Sequence, residues 1–352
     1  MRLLTVPDGS VRHVSVLFVT HEAYLDHLTG AHHPERPARL NAVLAGAEEA
    51  SIAEGLVGMR PTPAPRSVLE LVHPAAFLDR LVALHQRGGG RLDPDTVMSE
   101  GSWDAALLGA GAGLTAIAAL QNGEAGATAA FCAVRPPGHH ATRTESMGFC
   151  LLSNVAVAAA SLAEQGERVL IVDFDAHHGN GTQDCFYEDP RVLYVSLHQW
   201  PLYPGTGRFD EIGEGAGLGT TLNIPLPPAT TGDVYLSAID HLITPITRRF
   251  DPTWLIISAG YDGHAADPIT ELGLSSGDFA LITRRLLEYV PAGRRLVMLE
   301  GGYDLEALKH SSAATLAELL GQEHLPEAPT TGGPGHGVLE RVRSFWYEIG
   351  LL

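Results

Sequence analysis

Short apolar runs recur along the chain, and they lack the polar residue at every second position that marks a strand with one face in water. Rich in Val, Ile and Leu, they occupy residues 14–19, 128–134, 168–174, 191–197, 253–260 and 294–302. Continuous apolar runs of this length are typical of strands covered on both faces. We therefore predict that they are buried strands of a parallel sheet.

Helical patterns fill the intervals between these runs. They cover residues 35–50, 102–121, 153–165, 232–249, 275–289 and 304–320. Ser102 is a candidate N-cap for the second of these helices, and Ser276 or Asp278 for the fifth. Strands that alternate with helices predict an α/β fold in which helices flank an open parallel sheet.

A Pro/Gly-rich stretch near the end of the chain is the one segment that resembles a linker. It spans residues 326–337 and is followed by a short helical pattern, VLERVRSFWYEI. The chain shows no internal repeat. We expect a single domain over residues 1–325, with residues 326–352 packed on the same domain.

Composition and charge narrow the classes of protein. Of the 352 residues, 45% are hydrophobic, which is enough to bury a sizeable core. The 41 acidic residues outnumber the 23 Lys and Arg residues, and the formal net charge is -18. This excess of negative charge disfavours nucleic acid or an anionic membrane as the main partner.

Cysteine usage and the lack of targeting signals bear on location. The chain has three scattered cysteines, Cys132, Cys150 and Cys185, which favours a reducing compartment, the cytoplasm, over a disulfide framework. The first 18 residues lack the sustained apolar segment of a signal peptide. No uninterrupted apolar run approaches the length of about 18 residues that a membrane span needs, so we expect none.

Residues suited to chemistry follow the predicted strands. In open parallel sheets, ligands bind at the carboxyl ends of the strands. Five of these ends carry His, Asp, Tyr and Gly, in the segments RPPGHH, DFDAHHGNGTQ, HQWPLYPGTG, YDGHAADP and GGYDLE. The sequence therefore predicts a metal or acid–base site at this edge.

The first of these segments presents His139 and His140 side by side. The two preceding prolines fix φ, and Gly138 permits close backbone approach. Two imidazoles held in this way suit proton transfer, although ordinary loop histidines are an equally common explanation. The pair alone leaves both interpretations open.

The second segment offers metal ligands. Asp175 and His177 are two residues apart, so on an extended strand end their side chains point to the same face. Most such pairs are structural, and a site needs a third ligand, for which Asp262 in SAGYDGH is the candidate. Three protein ligands with an open position form a catalytic arrangement; zinc is the default, and Fe2+ or another divalent ion the alternative.

Four segments in this order closely resemble the signature segments of the histone deacetylase family: RPPGHHA, DFDAHHGNGTQ, SAGYDGHAADP and LEGGYD. That family also includes bacterial acetylpolyamine amidohydrolases and the acetoin-utilisation proteins. The resemblance begins at HPERPARL, residues 33–40, and this segment and DAHHGNGTQ look more like the class II branch. It implies an arginase-like fold with a parallel sheet of about eight strands.

Carried over by motif, the resemblance implies that Asp175, His177 and Asp262 hold one divalent ion, and it allows a structural K+ ion. Such an ion makes a water acidic near neutral pH and polarises a carbonyl. His140 would be the general base for the attacking water and then the acid for the leaving amine. Tyr303 would donate to the carbonyl oxygen as it becomes an oxyanion.

The resemblance gives supporting roles to neighbours of these residues. His139 would assist by charge and hydrogen bonding, with Asp173 behind it. Asn180 stands where class I relatives carry an Asp beside the second histidine. Without that carboxylate, His140 is expected to be less easily protonated.

The resemblance also assigns a narrow substrate channel. Phe149 and Tyr203 would form its walls, and Gly148 would lie near the acyl-lysine stem. Ile269 occupies the position closest to the acidic gatekeeper of polyamine-specific members. An aliphatic residue there favours acyl-lysine in proteins or peptides over a small acetylated amine.

Other classes stay open. An acetylpolyamine deacetylase is the nearest alternative. An arginase-type ureohydrolase would need two manganese ions and more aspartates than DFDAHHG supplies, and a non-catalytic reader would be expected to lack a ligand or the tyrosine. We predict a cytoplasmic, zinc-dependent deacetylase that acts without nucleic acid or membrane, and the sequence leaves a homo-oligomer open.

Overall fold

A computed structural model describes residues 14–352, which fold around one central sheet. The strands are β1 (Ser15–Val19), β2 (Leu56–Met59), β3 (Gly90–Arg91), β4 (Val97–Met98), β5 (Ala127–Cys132), β6 (Val169–Asp173), β7 (Val192–Gln199), β8 (Thr221–Leu226), β9 (Trp254–Ala259) and β10 (Arg295–Leu299). Eight of them form a sheet of order β2-β1-β5-β10-β9-β6-β7-β8 in which every neighbouring pair is parallel. β3 and β4 form a small antiparallel pair.

Helices connect and cover the strands. They are α1 (Ala38–Ala47), α2 (Ala50–Ala53), α3 (Arg66–Leu69), α4 (Ala75–Gln86), α5 (Ser102–Gln121), α6 (Asn154–Glu164), α7 (Asn180–Phe186), α8 (Gly232–Ala238), α9 (Thr244–Phe250), α10 (Ser276–Leu286), α11 (Leu305–Leu319) and α12 (His336–Glu348). A π-helical turn, Ile239–Ile243, joins α8 to α9. The predicted open parallel sheet flanked by helices is confirmed.

The six predicted strands are present in the eight-stranded sheet, and the other two strands of that sheet, β2 and β8, lie at its edges. The short pair β3 and β4 was not predicted either. β2 has only four residues, one of them Gly58, and its side chains are only partly buried or exposed. β8 contains Asn223 and Pro225. An edge strand needs hydrogen bonds on one side only, so it tolerates a proline and a weaker apolar pattern.

Two helix starts differ from the predicted caps. The N-cap of α10 is Ser275, which forms a capping box with Asp278. Gly101 precedes α5, so Ser102 is the first residue of that helix rather than its cap. The Ser102 hydroxyl lies 2.7 Å from Nδ1 of His27 instead.

By length and composition alone, α5 is long and apolar enough to cross a membrane, although the apolar runs in the sequence did not indicate such a helix. In the described structure, 67% of the most apolar part of α5 is buried inside the protein. It packs against α6 and β5 as a core helix does. The expectation about a signal peptide rests largely on residues 1–13, which lie outside the described part of the chain.

The Pro/Gly-rich segment contacts the rest of the fold through hydrogen bonds. The backbone N–H and hydroxyl of Ser276 each donate to the Glu327 carboxylate at 2.9 Å, and the Thr330 hydroxyl donates to Asp278 at 2.7 Å. On α12, Leu339, Val342 and Trp346 are buried. The domain boundary at residue 325 stays a prediction.

The four strands in the middle of the sheet determine where the motif residues lie. β5, β10, β9 and β6 lie side by side there and are almost entirely buried. Because all the strands of the sheet run parallel, their carboxyl ends share one edge. The segments that follow β5, β6, β9 and β10 therefore meet at that edge.

Candidate active site

Asp175, His177 and Asp262 converge at the carboxyl edge and are buried. The first two follow β6 and the third follows β9. One ligand atom from each lies within 4.8 Å of the others. Nδ1 of His177 is 3.1 Å from Oδ1 of Asp175 and 2.9 Å from Oδ2 of Asp262.

Backbone N–H groups orient both carboxylates. Gly301 donates to Oδ2 of Asp175 at 2.8 Å, and Ala176 donates to Oδ1 of Asp262 at 2.8 Å. A Cβ atom on Gly301 would lie 2.5 Å from an oxygen of each of these two carboxylates. Only glycine allows the chain after β10 to approach this closely.

The electrostatics of these three residues fit a bound cation. Burial, and then the neighbouring charge of Asp175, raise the pKa of Asp262 to about 7. Burial would lower the pKa of His177, but Asp262 and Asp175 outweigh it and raise the value to about 10. Two buried carboxylates held this close together need a compensating positive charge. The two oxygen donors and one nitrogen donor are suited to a divalent ion.

The two neighbouring histidines have different partners. Nδ1 of His139 donates to Oδ2 of Asp173 at 3.0 Å. Nδ1 of His140 donates to Oδ1 of Asn180 at 2.8 Å, which leaves Nε2 of the neutral ring free to accept a proton. The ring centroids are 4.1 Å apart, and both side chains are buried.

These partners separate the pKa values of the pair. Burial would lower the pKa of His139, but the carboxylates of Asp175 and Asp173 raise it to about 10. Burial, and then the positive charges of His139 and His177, hold the pKa of His140 well below its ordinary value. A cation at the carboxylates would lower both values, and of the two rings only His139 would still donate a hydrogen bond to Asp173. One imidazole is therefore suited to carry charge and the other to accept a proton.

Tyr303 follows β10 and is almost fully buried. Its backbone N–H donates to Oδ2 of Asp267 at 2.8 Å, and the guanidinium of Arg39 lies 5.0 Å from its ring centroid. Burial, and then the charge of Asp262, raise the pKa of the phenol well above its ordinary value. The hydroxyl therefore stays protonated and can donate a hydrogen bond.

Two aromatic rings flank this group. The Phe149 ring meets Tyr303 edge-on at a centroid distance of 5.9 Å, and the Tyr203 ring meets His140 edge-on at 5.2 Å. Tyr203 is 40% exposed, so its ring extends from the buried histidine to the surface. Gly148 has φ +54°, and a Cβ there would lie 2.4 Å from Cδ2 of His140.

Ile269 is more exposed than the buried residues of the site. It lies on the loop between Asp262 and α10, and it is 36% exposed. Its backbone N–H donates to Oδ1 of Asp267 at 3.0 Å. Its assignment to substrate binding stays a prediction.

Comparisons with known proteins decide the family. The model of the histone deacetylase domain matches residues 33–319. The chain belongs to the histone deacetylase family. A probable deacetylase of Archaeoglobus fulgidus is 42% identical over 310 residues, which cover 86% of each protein.

A bacterial relative and a solved structure agree with this assignment. A histone deacetylase-like amidohydrolase of Pseudomonas aeruginosa is 38% identical, over 83% of this chain and 77% of that protein. The crystal structure of the HDA15 HD domain superposes with a TM-score of 0.87 at 34% identity, and the match covers 96% of both chains. The family resemblance and the deacetylase-like fold that the sequence predicted are confirmed, and the chain is a hydrolase of this family.

Sequence reasoning missed several residues that support this deacetylase-family site. Nε and Nη2 of Arg39 donate to the carbonyl oxygens of Gly302 and Glu300, each at 2.6 Å. The Glu300 carboxylate accepts from the backbone of the histidine pair. Arg39 and Glu300 lie in HPERPARL and LEGGYD, so the motifs identified the segments but not the contacts. Asp267, in YDGHAADP, was likewise quoted without a role.

Proposed function

We propose that this protein is a zinc-dependent deacetylase that hydrolyses the amide of an acetylated or otherwise acylated lysine side chain in proteins or peptides. The observation that carries the proposal is the convergence of Asp175, His177 and Asp262 beside His140, with Tyr303 two residues after Gly301, whose N–H donates to Asp175. The family assignment supports the amide-hydrolysing activity. The aliphatic Ile269 supports acyl-lysine as substrate.

The three ligands would hold one divalent ion, which when bound lowers the pKa of a water and polarises the substrate carbonyl. His140 then acts as the base. Because Asn180 accepts from its Nδ1, its Nε2 takes the proton of the attacking water. The same nitrogen returns the proton to the leaving amine, which is a poor leaving group unless protonated.

His139 and Tyr303 stabilise charge as it develops. His139 keeps its proton because Asp173 accepts from Nδ1, and its charge opposes protonation of His140 in the resting protein. The Tyr303 hydroxyl donates to the substrate oxygen as it becomes negative. Between the two aromatic walls, the acyl-lysine stem is excluded from water.

We further propose zinc rather than Fe2+ as the ion, and the cytoplasm as the compartment. The donor set of one imidazole and two carboxylates supports either metal, with zinc the default for three-ligand catalytic sites. Free cysteines at 132, 150 and 185 support a reducing compartment. A structural K+ ion stays a prediction.

The experiment is a substrate panel on metal-loaded protein, comparing an acetyl-lysine peptide, longer acyl-lysine peptides and an acetylated polyamine. We expect the highest kcat/KM on a peptide, in protein containing one zinc per chain. Faster hydrolysis of the acetylated polyamine would replace the proposed substrate by the nearest alternative. Urea release from a guanidino compound, with two manganese ions per chain, would contradict the proposal altogether.

A further inference from the structure

Glu300 is a buried carboxylate to which the proposed chemistry gives no role. It follows β10 directly and has no exposed surface. Its Oε2 accepts from the backbone N–H of Gly138 at 2.7 Å and of His139 at 3.1 Å. Its Oε1 accepts from the Ser258 hydroxyl at 3.2 Å.

The main chain of Glu300 contacts the other half of the site. Its N–H donates to the carbonyl of Ala259 at 2.9 Å, and its own carbonyl accepts from Arg39 at 2.6 Å. The next residue, Gly301, donates to Asp175, and Tyr303 lies two residues beyond. The side chain of Glu300 thus contacts the loop that holds the histidines, while its main chain begins the segment that holds the tyrosine.

The loop that carries His139 and His140 is also contacted on the side opposite Glu300. Nδ2 of Asn154 donates to the carbonyl of Pro136 at 3.0 Å. A Cβ on Gly138 would lie 2.5 Å from the backbone nitrogen of Asn154. The loop therefore lies between the start of α6 and the Glu300 carboxylate. Without that carboxylate, two buried N–H groups lose the acceptor that the structure gives them.

We infer that Glu300 is a positioning residue that holds His139 and His140 in register with Tyr303, and that it does so through its acceptor oxygen rather than its charge. The inference rests on the proposed function in one respect only, the roles of these three side chains. Both N–H groups share one oxygen, and the other oxygen faces a hydroxyl that can donate or accept. Burial raises the pKa of Glu300 to about 7, so the site does not favour its negative charge.

Two substitutions separate the oxygen from the charge. Glu300→Gln keeps an oxygen at the same reach, and its NH2 group can donate to the Ser258 hydroxyl. Glu300→Asp keeps the charge but is one methylene too short. We expect Glu300→Gln to retain most of the wild-type kcat. Glu300→Asp should lower kcat by about tenfold to a hundredfold with KM little changed, because misplaced groups slow the reaction without weakening binding.

Glu318 provides the matched control, since it is a buried glutamate that accepts two hydrogen bonds from Arg284, at 2.9 and 2.7 Å. Glu318→Gln and Glu318→Asp should leave kcat unchanged. Metal content is measured in every variant. The inference would be overturned if Glu300→Asp were more active than Glu300→Gln, or if both variants had the kcat of the wild type. It would also be overturned if turnover fell only in proportion to the loss of metal. If Glu300→Asp does not fold, a folded, metal-loaded and inactive Glu300→Gln also overturns it.

Crystal structures of the variants separate this inference from the proposed function. If the wild-type protein does not hydrolyse acyl-lysine, the proposed substrate fails, and the positions of the imidazoles still decide the role of Glu300. We expect the His139 and His140 rings to keep their places in Glu300→Gln and to move in Glu300→Asp. Unmoved rings in both variants would contradict positioning by Glu300.

Discussion

The two ends of the central strands carry charged residues in opposite surroundings. At the carboxyl end, Asp173, Asp175 and Asp262 have no exposed surface and bond to backbone N–H groups and imidazoles. At the amino end, Arg168 precedes β6 and lies 2.6 Å from Asp251, with the two side chains 45% and 81% exposed. The same sheet thus places buried charges at one edge and solvated ion pairs at the other.

The difference between the two edges is one of desolvation. Water screens an exposed ion pair, which typically contributes about 1 kcal/mol or less. A buried carboxylate loses that solvation and needs compensation from hydrogen bonds or opposite charge. At the carboxyl edge this need shifts the pKa values of the histidines and aspartates and favours a bound cation. Charges at the amino edge contribute modestly to folding, whereas those at the carboxyl edge are the ones to which the proposed function assigns the chemistry.

The largest effect is expected from removing a ligand at the carboxyl edge. Asp262→Ala should lose both the metal and measurable turnover, because two remaining ligands cannot close the site. Metal analysis of the purified variant, together with turnover, checks this. Asp251→Ala, at the amino edge, is the control and should keep both. Stoichiometric metal in Asp262→Ala would remove Asp262 from the ligand set.

The histidine pair should respond unequally. His140→Ala removes the proton carrier and should lower kcat by roughly a hundredfold to ten-thousandfold at every accessible pH. His139→Ala should leave more activity with a displaced pH profile, because it removes a charge that tunes the carrier. Both variants should bind metal normally. If His139→Ala is the inactive one and His140→Ala is only shifted, the two roles are reversed.

A smaller loss is expected from removing the phenol donor. Tyr303→Phe should lower kcat by roughly a hundredfold to a thousandfold with metal retained. Tyr289→Phe is the matched control, since its hydroxyl bonds Thr244, far from the reaction, at 2.7 Å. Near-normal kcat in folded Tyr303→Phe would exclude the hydroxyl from the mechanism.

The smallest effect is expected at the amino edge. Glu167 pairs with Arg294 at 2.6 Å, just before β10, with side chains 20% and 40% exposed. Glu167→Gln should change the free energy of unfolding by about 1 kcal/mol or less and leave turnover unchanged. Urea denaturation checks the first and the peptide assay the second. A fall in turnover would mean that the two edges are not independent.

Sequence patterns predicted the features that depend on nearby residues in the chain. Continuous apolar runs identified the central strands, because a strand covered on both faces must be apolar throughout, whereas the short β2 and the proline-containing β8 lack that pattern. The motif residues were found because each follows a strand end, and the fold brings most of them together. Their chemical roles stay predictions.

Contacts between distant segments could not be predicted in the same way. Arg39 and Gly302 are 263 residues apart, and Gly138 and Glu300 are 162 apart. Each of these residues lies in a recognisable segment, but only the order of strands in the sheet shows which segments become neighbours. The inference that Glu300 positions His139 could therefore be drawn only from the structure.

The central claim is that His139 and His140 have different pKa values and therefore different roles. The pH dependence of kcat/KM for wild type and Asn180→Asp tests it most directly. A general base must be unprotonated, so activity falls as the pH drops through its pKa. The wild-type acid limb should lie below the ordinary histidine value of about 6.5. Asn180→Asp adds a negative charge at Nδ1 of His140 and should move the limb to higher pH. Metal content is measured at each pH, and Asn122→Asp, on the exposed end of α5, should move nothing. A wild-type limb at or above the ordinary histidine value, unmoved in Asn180→Asp, would contradict the account.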